Sequence, residues 1–190
     1  MPEPILRFVV PSLWVAWLIY WWVSARDVKP TQWREPLRSQ ALHRVPLIVA
    51  AILLGAPGWL PHGLRARFVP AGPIFPALGS TVLAAGLGFS VWARRHLGRN
   101  WSADVVIKED HALIRTGPYR HVRHPIYTGI LFAFLGTAIA IGEWRSLIAV
   151  GVAVLSFVRK SWVEEQRMQD TFPEYAQYQR ESAALIPFIY

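Results

Sequence analysis

Five apolar stretches, at roughly 5–23, 45–60, 74–93, 126–142 and 147–162, constrain this chain more than any other feature. A helix needs about 17–25 mostly apolar residues to cross the hydrocarbon of a bilayer. The first and third stretches reach that length, and the second and fourth sit at its short end. The last two are separated by only Glu143, Trp144, Arg145 and Ser146, which predicts a tight helical hairpin. Whether the hairpin crosses fully or inserts as a re-entrant pair is open at this point. Composition agrees with a membrane chain: 53% of the 190 residues are hydrophobic and 17% are charged, against about 25% charged in typical soluble domains.

The basic residues test the topology independently, because Lys and Arg concentrate in cytoplasmic loops. Five lie in 24–44, seven in 94–123 and four from 159 onward, all on one side if the five stretches cross in alternation. Only Arg7, Arg65, Arg67 and Arg145 fall on the other side. This predicts five crossings, an external N-terminus and a cytoplasmic C-terminus. Val23-Ser24-Ala25 resembles a signal-peptide cleavage site, but Glu3 beside Arg7 makes a poor basic n-region and the run is long, so the segment reads as a retained span. The net charge of +8 would suit nucleic acid, yet the apolar content excludes it in favour of a membrane. With no cysteine, disulfide scaffolds, cysteine-ligated zinc and thiol nucleophiles are excluded. Pro11 and the turn residues 55–58 kink or end helices. Trp14, Trp17, Trp21, Trp22, Trp59 and Trp101 read as an interfacial belt or, alternatively, a Trp-lined lipid pocket.

The expected fold is thus an all-α integral membrane helical bundle of about five spans. Residues 1–93 make three N-terminal transmembrane helices. Residues 94–190 make a second unit of cytoplasmic linker, helical hairpin and C-terminal helix. The linker is too long for a simple connection, and Leu97, Trp101, Val105, Leu113 and Ile114 give it apolar anchors for folding back on the inner ends of the spans.

Chemistry concentrates where the fourth span begins. Pro125 suits the first position of a helix, where a missing N–H costs nothing, and this places His124 at the N-cap. The unpaired N–H groups and positive dipole of a helix start, with Arg120 and Arg123 beside it, make a cradle for a carboxylate or phosphate. Tyr127, three residues on, shares the face of His124, and Gly129 lets a flat ligand approach the backbone. The bland alternative is a basic flank before a span. At the end of the fifth span stand Arg159, Lys160, Glu164 and Glu165. Adjacent helical residues lie about 100° apart, so one acid is expected to turn inward toward a ligand or arginine and the other toward solvent or another segment. Met168, Phe172, Tyr175 and Tyr178 follow at helical spacing and are expected to dock the tail.

These elements together resemble one family. Leu97-Gly98-Arg99-Asn100-Trp101-Ser102, Gly117-Pro118-Tyr119, Arg123-His124-Pro125-Ile126-Tyr127-Thr128-Gly129, Glu164-Glu165, and Tyr175 with Tyr178 before Pro187 are similar to the isoprenylcysteine carboxyl methyltransferases, and phospholipid methyltransferases share the arrangement. The resemblance covers about residues 92–187; residues 1–70 carry no matching motif. It implies methyl transfer from S-adenosylmethionine to a membrane lipid or lipidated small-molecule acceptor at the cytoplasmic face, the inner (plasma) membrane being the expected location. It also implies a cofactor site of Tyr119, His124, Pro125, Tyr127, Gly129, Glu164 and Glu165, with no metal. A carboxylate acceptor is ionised at neutral pH and needs a cation, for which Arg159 is the candidate. An amine acceptor needs a base, for which Glu165 or His124 is the candidate. A phospholipid N-methyltransferase, a sterol-type membrane reductase using a nicotinamide cofactor, and a non-enzymatic lipid-binding protein are the alternatives.

Overall fold

The fold is described from a computed structural model covering residues 5–26, 28–55, 58, 60–102, 106–108 and 113–186. Ala56, Pro57, Trp59, Val105 and Pro187, singled out above, lie outside the described residues. A π-helical turn at Ile5–Val9 leads into α1 (Val10–Ser24), with Pro11 in its first turn as its fixed φ favours. A short strand β1 (Thr31–Arg34) precedes α2 (Leu37–Gly55), a single turn α3 (His62–Arg65) and the long α4 (Ile74–Leu97). After the linker strand β2 (Val106–Lys108) come α5 (Pro125–Ile141), α6 (Trp144–Thr171) and α7 (Tyr175–Glu181). The fold is the expected helical membrane bundle, with one two-stranded antiparallel ribbon, β1–β2, that hydropathy does not signal.

Among the described residues, α1 with its leading turn, α2, α4 and α6 are long and apolar enough to cross a membrane, and α5 is shorter at 17 residues. At 1.5 Å per residue α5 is about 25 Å long. It nevertheless runs the length of the bundle. Its first residues meet the late part of α6, while at its far end the Gly142 carbonyl accepts from Phe68 N at 2.9 Å. The hairpin is therefore two antiparallel helices of 17 and 28 residues, closed by Gly142 at φ +71.

α4 and α5 pack backbone to backbone, which explains why α5, shorter than the four candidate spans, is nevertheless largely buried. A Cβ on Gly79 would lie 2.4 Å from Ala140 N, and one on Gly86 would lie 2.6 Å from the Gly129 carbonyl oxygen. Gly136 and Gly129 meet α4 equally closely. Each helix thus offers two glycines seven residues apart, a small-residue seam of the kind that lets membrane helices approach. Gly88, two residues beyond Gly86, lies off this seam and faces open space.

The helix ends sort into two groups. The Ser24 carbonyl at the end of α1 accepts from Arg94 near the end of α4. Arg159, late in α6, reaches Ser39 at the start of α2, and His124 reaches Glu165. At the opposite end, Trp144 N donates to the Ala66 carbonyl and Arg145 to the carbonyls of Leu53 and Leu54. The alternation read from the basic loops is the alternation of these ends.

Candidate active site

The start of α5 is built by three segments. Gly117 turns at φ +57, where a Cβ would strike the His96 ring at 2.6 Å, and opens the helical turn Gly117–Arg120. This turn buries Tyr119, whose hydroxyl lies 3.4 Å from the Ala93 carbonyl and whose own carbonyl accepts from the Tyr178 hydroxyl. The C-terminal tail lies alongside: Arg123 N donates to the Ala183 carbonyl at 2.9 Å and His124 N to the Ala184 carbonyl at 3.0 Å. His124 stands at the N-cap as expected, its backbone held from outside the helix, with Pro125 fully buried behind it.

Both consecutive acids of α6 converge on this helix start. Glu165 accepts from Arg123 Nε at 2.7 Å and from Gln179 Nε2 at 2.7 Å, and lies 3.0 Å from His124 Nε2. Glu164 accepts from the Tyr127 hydroxyl at 2.8 Å and lies 3.5 Å from His124 Nδ1. The imidazole therefore bridges the two carboxylates. This corrects the expectation that one acid would turn away: a ring with a nitrogen on each edge spans the angle between two successive side chains. Arg123, read as part of an anion cradle, is instead spent on Glu165 and on the carbonyls of Gln179 and Ser182.

Tyr127 stacks on His124 at 5.3 Å and on Phe157 at 4.9 Å, and Lys160 Nζ lies 5.0 Å from its ring centre. Phe157, Lys160 and Glu164 fall at helical spacing on the face of α6 that meets α5. That spacing is visible in the sequence and sets Lys160, rather than Arg159, beside Tyr127. Arg159 points to α2, 3.1 Å from Ser39 Oγ and 3.3 Å from His43 Nδ1.

A cavity lies between the linker and the helix ends. Tyr119, His124, Tyr127 and Glu164 line it, as do Asn100, Leu113, Ile114 and Met168. Glu165, Pro125 and Gly129 are not among its lining residues; Gly129 serves the seam with α4 instead. The Asn100 Oδ1 atom is buried without a hydrogen-bond partner among the described residues, an acceptor taken out of water and left unsatisfied by them. Tyr175 and Tyr178 also line the cavity rather than only docking the tail. Burial pushes the Tyr178 hydroxyl up to about 12 and raises those of Tyr119 and Tyr175 further, so all three remain neutral donors.

The sequence profile of the phospholipid methyltransferase family matches residues 74–175. This chain belongs to that family. The match runs from the start of α4 to the start of α7 and includes every residue of the His124–Glu164–Glu165 cluster. Curated relatives include a protein-S-isoprenylcysteine O-methyltransferase of Schizosaccharomyces pombe, 30% identical over 96 residues (48% of this chain, 41% of the relative). Another, of Saccharomyces cerevisiae, is 31% identical over 116 residues (59% and 48%). A cobalt-zinc-cadmium resistance protein, CzcN, of Cupriavidus metallidurans is 30% identical over 94 residues (48% and 43%). The matched region is less than half the length of each relative. The solved structure of a eukaryotic intramembrane Ras methyltransferase, isoprenylcysteine carboxyl methyltransferase, shares the fold. It superposes with a TM-score of 0.55 at 23% identity, over 80% of this chain and 64% of the other.

Proposed function

We propose that this family member is an integral membrane methyltransferase. It moves a methyl group from S-adenosylmethionine to a lipid-like acceptor of the isoprenylcysteine carboxylate type. Its site and C-terminus face the cytoplasm, at the inner (plasma) membrane of the cell. The observation that carries this reading is the convergence of His124, Tyr127 and Glu164 on a cavity at the basic end of the bundle. The names of the curated relatives support it.

The lining fits the donor by chemistry. Glu164 and the orphaned Asn100 Oδ1 are acceptors for ammonium, hydroxyl or amine protons, and Leu113, Ile114 and the Tyr119 ring offer an apolar wall for a purine. S-adenosylmethionine supplies an electrophilic methyl group. The chain supplies position and dryness, which is what a direct displacement requires. In this assignment Glu165, already saturated by Arg123, His124 and Gln179, orients the imidazole. It has no unoccupied side from which to take a proton from an amine, which favours a carboxylate acceptor that needs no base. Arg159 is the cation for that carboxylate. Residues 94–190 form the donor-binding unit, and helices within 1–93 admit the acceptor from the bilayer.

Calorimetry in detergent tests the reading. S-adenosylmethionine is expected to bind and a reduced nicotinamide nucleotide is not, and His124→Ala or Glu165→Ala weakens donor binding at least about tenfold. Folded wild-type protein that binds the nicotinamide nucleotide alone, or neither, overturns it. Lipid extracts incubated with methyl-labelled donor then identify the acceptor.

A further inference from the structure

Outside the donor cavity, one buried acid has no role in the account above. Glu35 lies between β1 and α2, and its backbone carbonyl is capped by the buried Gln40 amide at 2.7 Å. Its carboxylate is 1% exposed, and neither oxygen has a hydrogen-bond partner among the described residues. The nearest cationic group is Arg159 Nη1, 3.9 Å from Oε1, and the His43 ring lies on the other side with Nε2 3.8 Å from Oε2. Both distances exceed hydrogen-bond range. Arg44 and Lys160 also act on this cluster.

A carboxylate taken out of water with neither oxygen bonded is costly, and only a nearby cation offsets the cost. Arg159 is that cation, but the contact is loose. Its guanidinium is engaged by a hydroxyl, an imidazole and a distant carboxylate, so the two-pronged carboxylate grip for which arginine is suited is unused. Glu35 is sealed, whereas the Arg159 side chain is 30% exposed, so an anion can reach the arginine without displacing the protein around Glu35. Ser156 donates to the His43 carbonyl and ties this seam of α6 to α2, one face round from Phe157 and Tyr127.

We infer that Glu35 is the resident counter-ion of Arg159, a positioning residue that holds the guanidinium at the α2–α6 seam until the anionic group of the acceptor replaces it and that thereby sets affinity for anionic acceptors. This rests on the methyl-transfer reading, in which Arg159 holds the acceptor. Glu35 lies outside the region matched by the family profile, so the device belongs to the N-terminal part of this chain.

The test is direct binding to the full-length protein in detergent, without turnover. The probes are an S-prenylated N-acetylcysteine, dodecyl phosphate, and the methyl ester of the first as an uncharged control. Glu35→Gln keeps the shape and removes the competing charge. It is expected to tighten binding of an anionic probe about tenfold, leaving the ester and S-adenosylmethionine unchanged. Tightening for the carboxylate probe assigns a carboxylate acceptor; tightening for the phosphate probe assigns a phosphorylated head group. Glu35→Asp, which draws the charge back by one methylene, gives a smaller gain and serves if the glutamine variant does not fold. Arg159→Met abolishes the preference for anions whatever stands at 35. Unchanged or weaker anion binding in a folded Glu35 variant that still binds S-adenosylmethionine overturns the inference. Glu35-dependent anion binding in a protein that never binds S-adenosylmethionine overturns the methyl-transfer reading alone.

Discussion

The two ends of the bundle each bury an arginine against a glutamate, and they use it differently. At the hairpin-loop end Arg145 Nε donates to Glu143 at 2.6 Å, and its Nη1 donates to the carbonyls of Leu53 and Leu54. That guanidinium caps the end of α2 and joins it to the hairpin. At the basic end Arg123 holds Glu165, which holds His124, and beside them Glu164 and Asn100 line a cavity. The first cluster spends its donors on the carbonyls that end a helix, as a structural cap should. The second neutralises one acid so that another can be presented. A buried ion pair is therefore no sign of function by itself; an acceptor left open next to a satisfied pair is.

Removing Arg123 should break this comparison most severely. Arg123→Ala leaves Glu165 buried without its cation, at a cost of about 3–5 kcal/mol, and unfolding in detergent together with lost donor binding would register it. Arg145→Ala is expected to cost about 2–3 kcal/mol by stranding the Leu53 and Leu54 carbonyls. Its donor affinity should match wild type, and a loss of affinity there would erase the distinction between the ends. Glu164→Gln should do the reverse: calorimetry is expected to show about tenfold weaker donor binding, or about 1.4 kcal/mol, with an unfolding midpoint close to wild type because the side chain is one-third exposed.

The smallest effect belongs to Tyr178. Tyr178→Phe removes the hydrogen bond to the Tyr119 carbonyl, worth about 1 kcal/mol. Burial raises this hydroxyl from its ordinary 10 to about 12, so the folded state holds the proton more tightly than the unfolded state. Its contribution is complete below pH 10 and is lost as pH rises from 10 to 12. Stability measured across that window should fall less steeply in the phenylalanine variant.

Much of this was legible in the residues because membrane insertion is a one-dimensional constraint. The spans, their alternation and the basic end follow from hydropathy and charge read along the chain. The N-cap place of His124 follows from Pro125, since a proline without an N–H marks a helix start locally. The boundaries were less legible: α2 begins at Leu37, well before its apolar core, because its polar first turns carry Ser39, Gln40 and His43 into the bundle. The β1–β2 ribbon left no trace, being short strands paired across more than seventy residues of chain.

The direction in which each side chain points was decided by tertiary structure alone. Gly129 and Gly86 are ordinary glycines in the sequence, and only the α4–α5 crossing makes them a seam. Arg159 and Lys160 are neighbours of like charge, and only the placement of α2 and α5 on different sides of α6 sends one to His43 and the other to Tyr127. The order of residues along the chain determined what enters the membrane, because that depends on the sum of transfer energies over a segment. It could not determine which acid is spent and which is offered, because that depends on the angle between helices far apart in the chain.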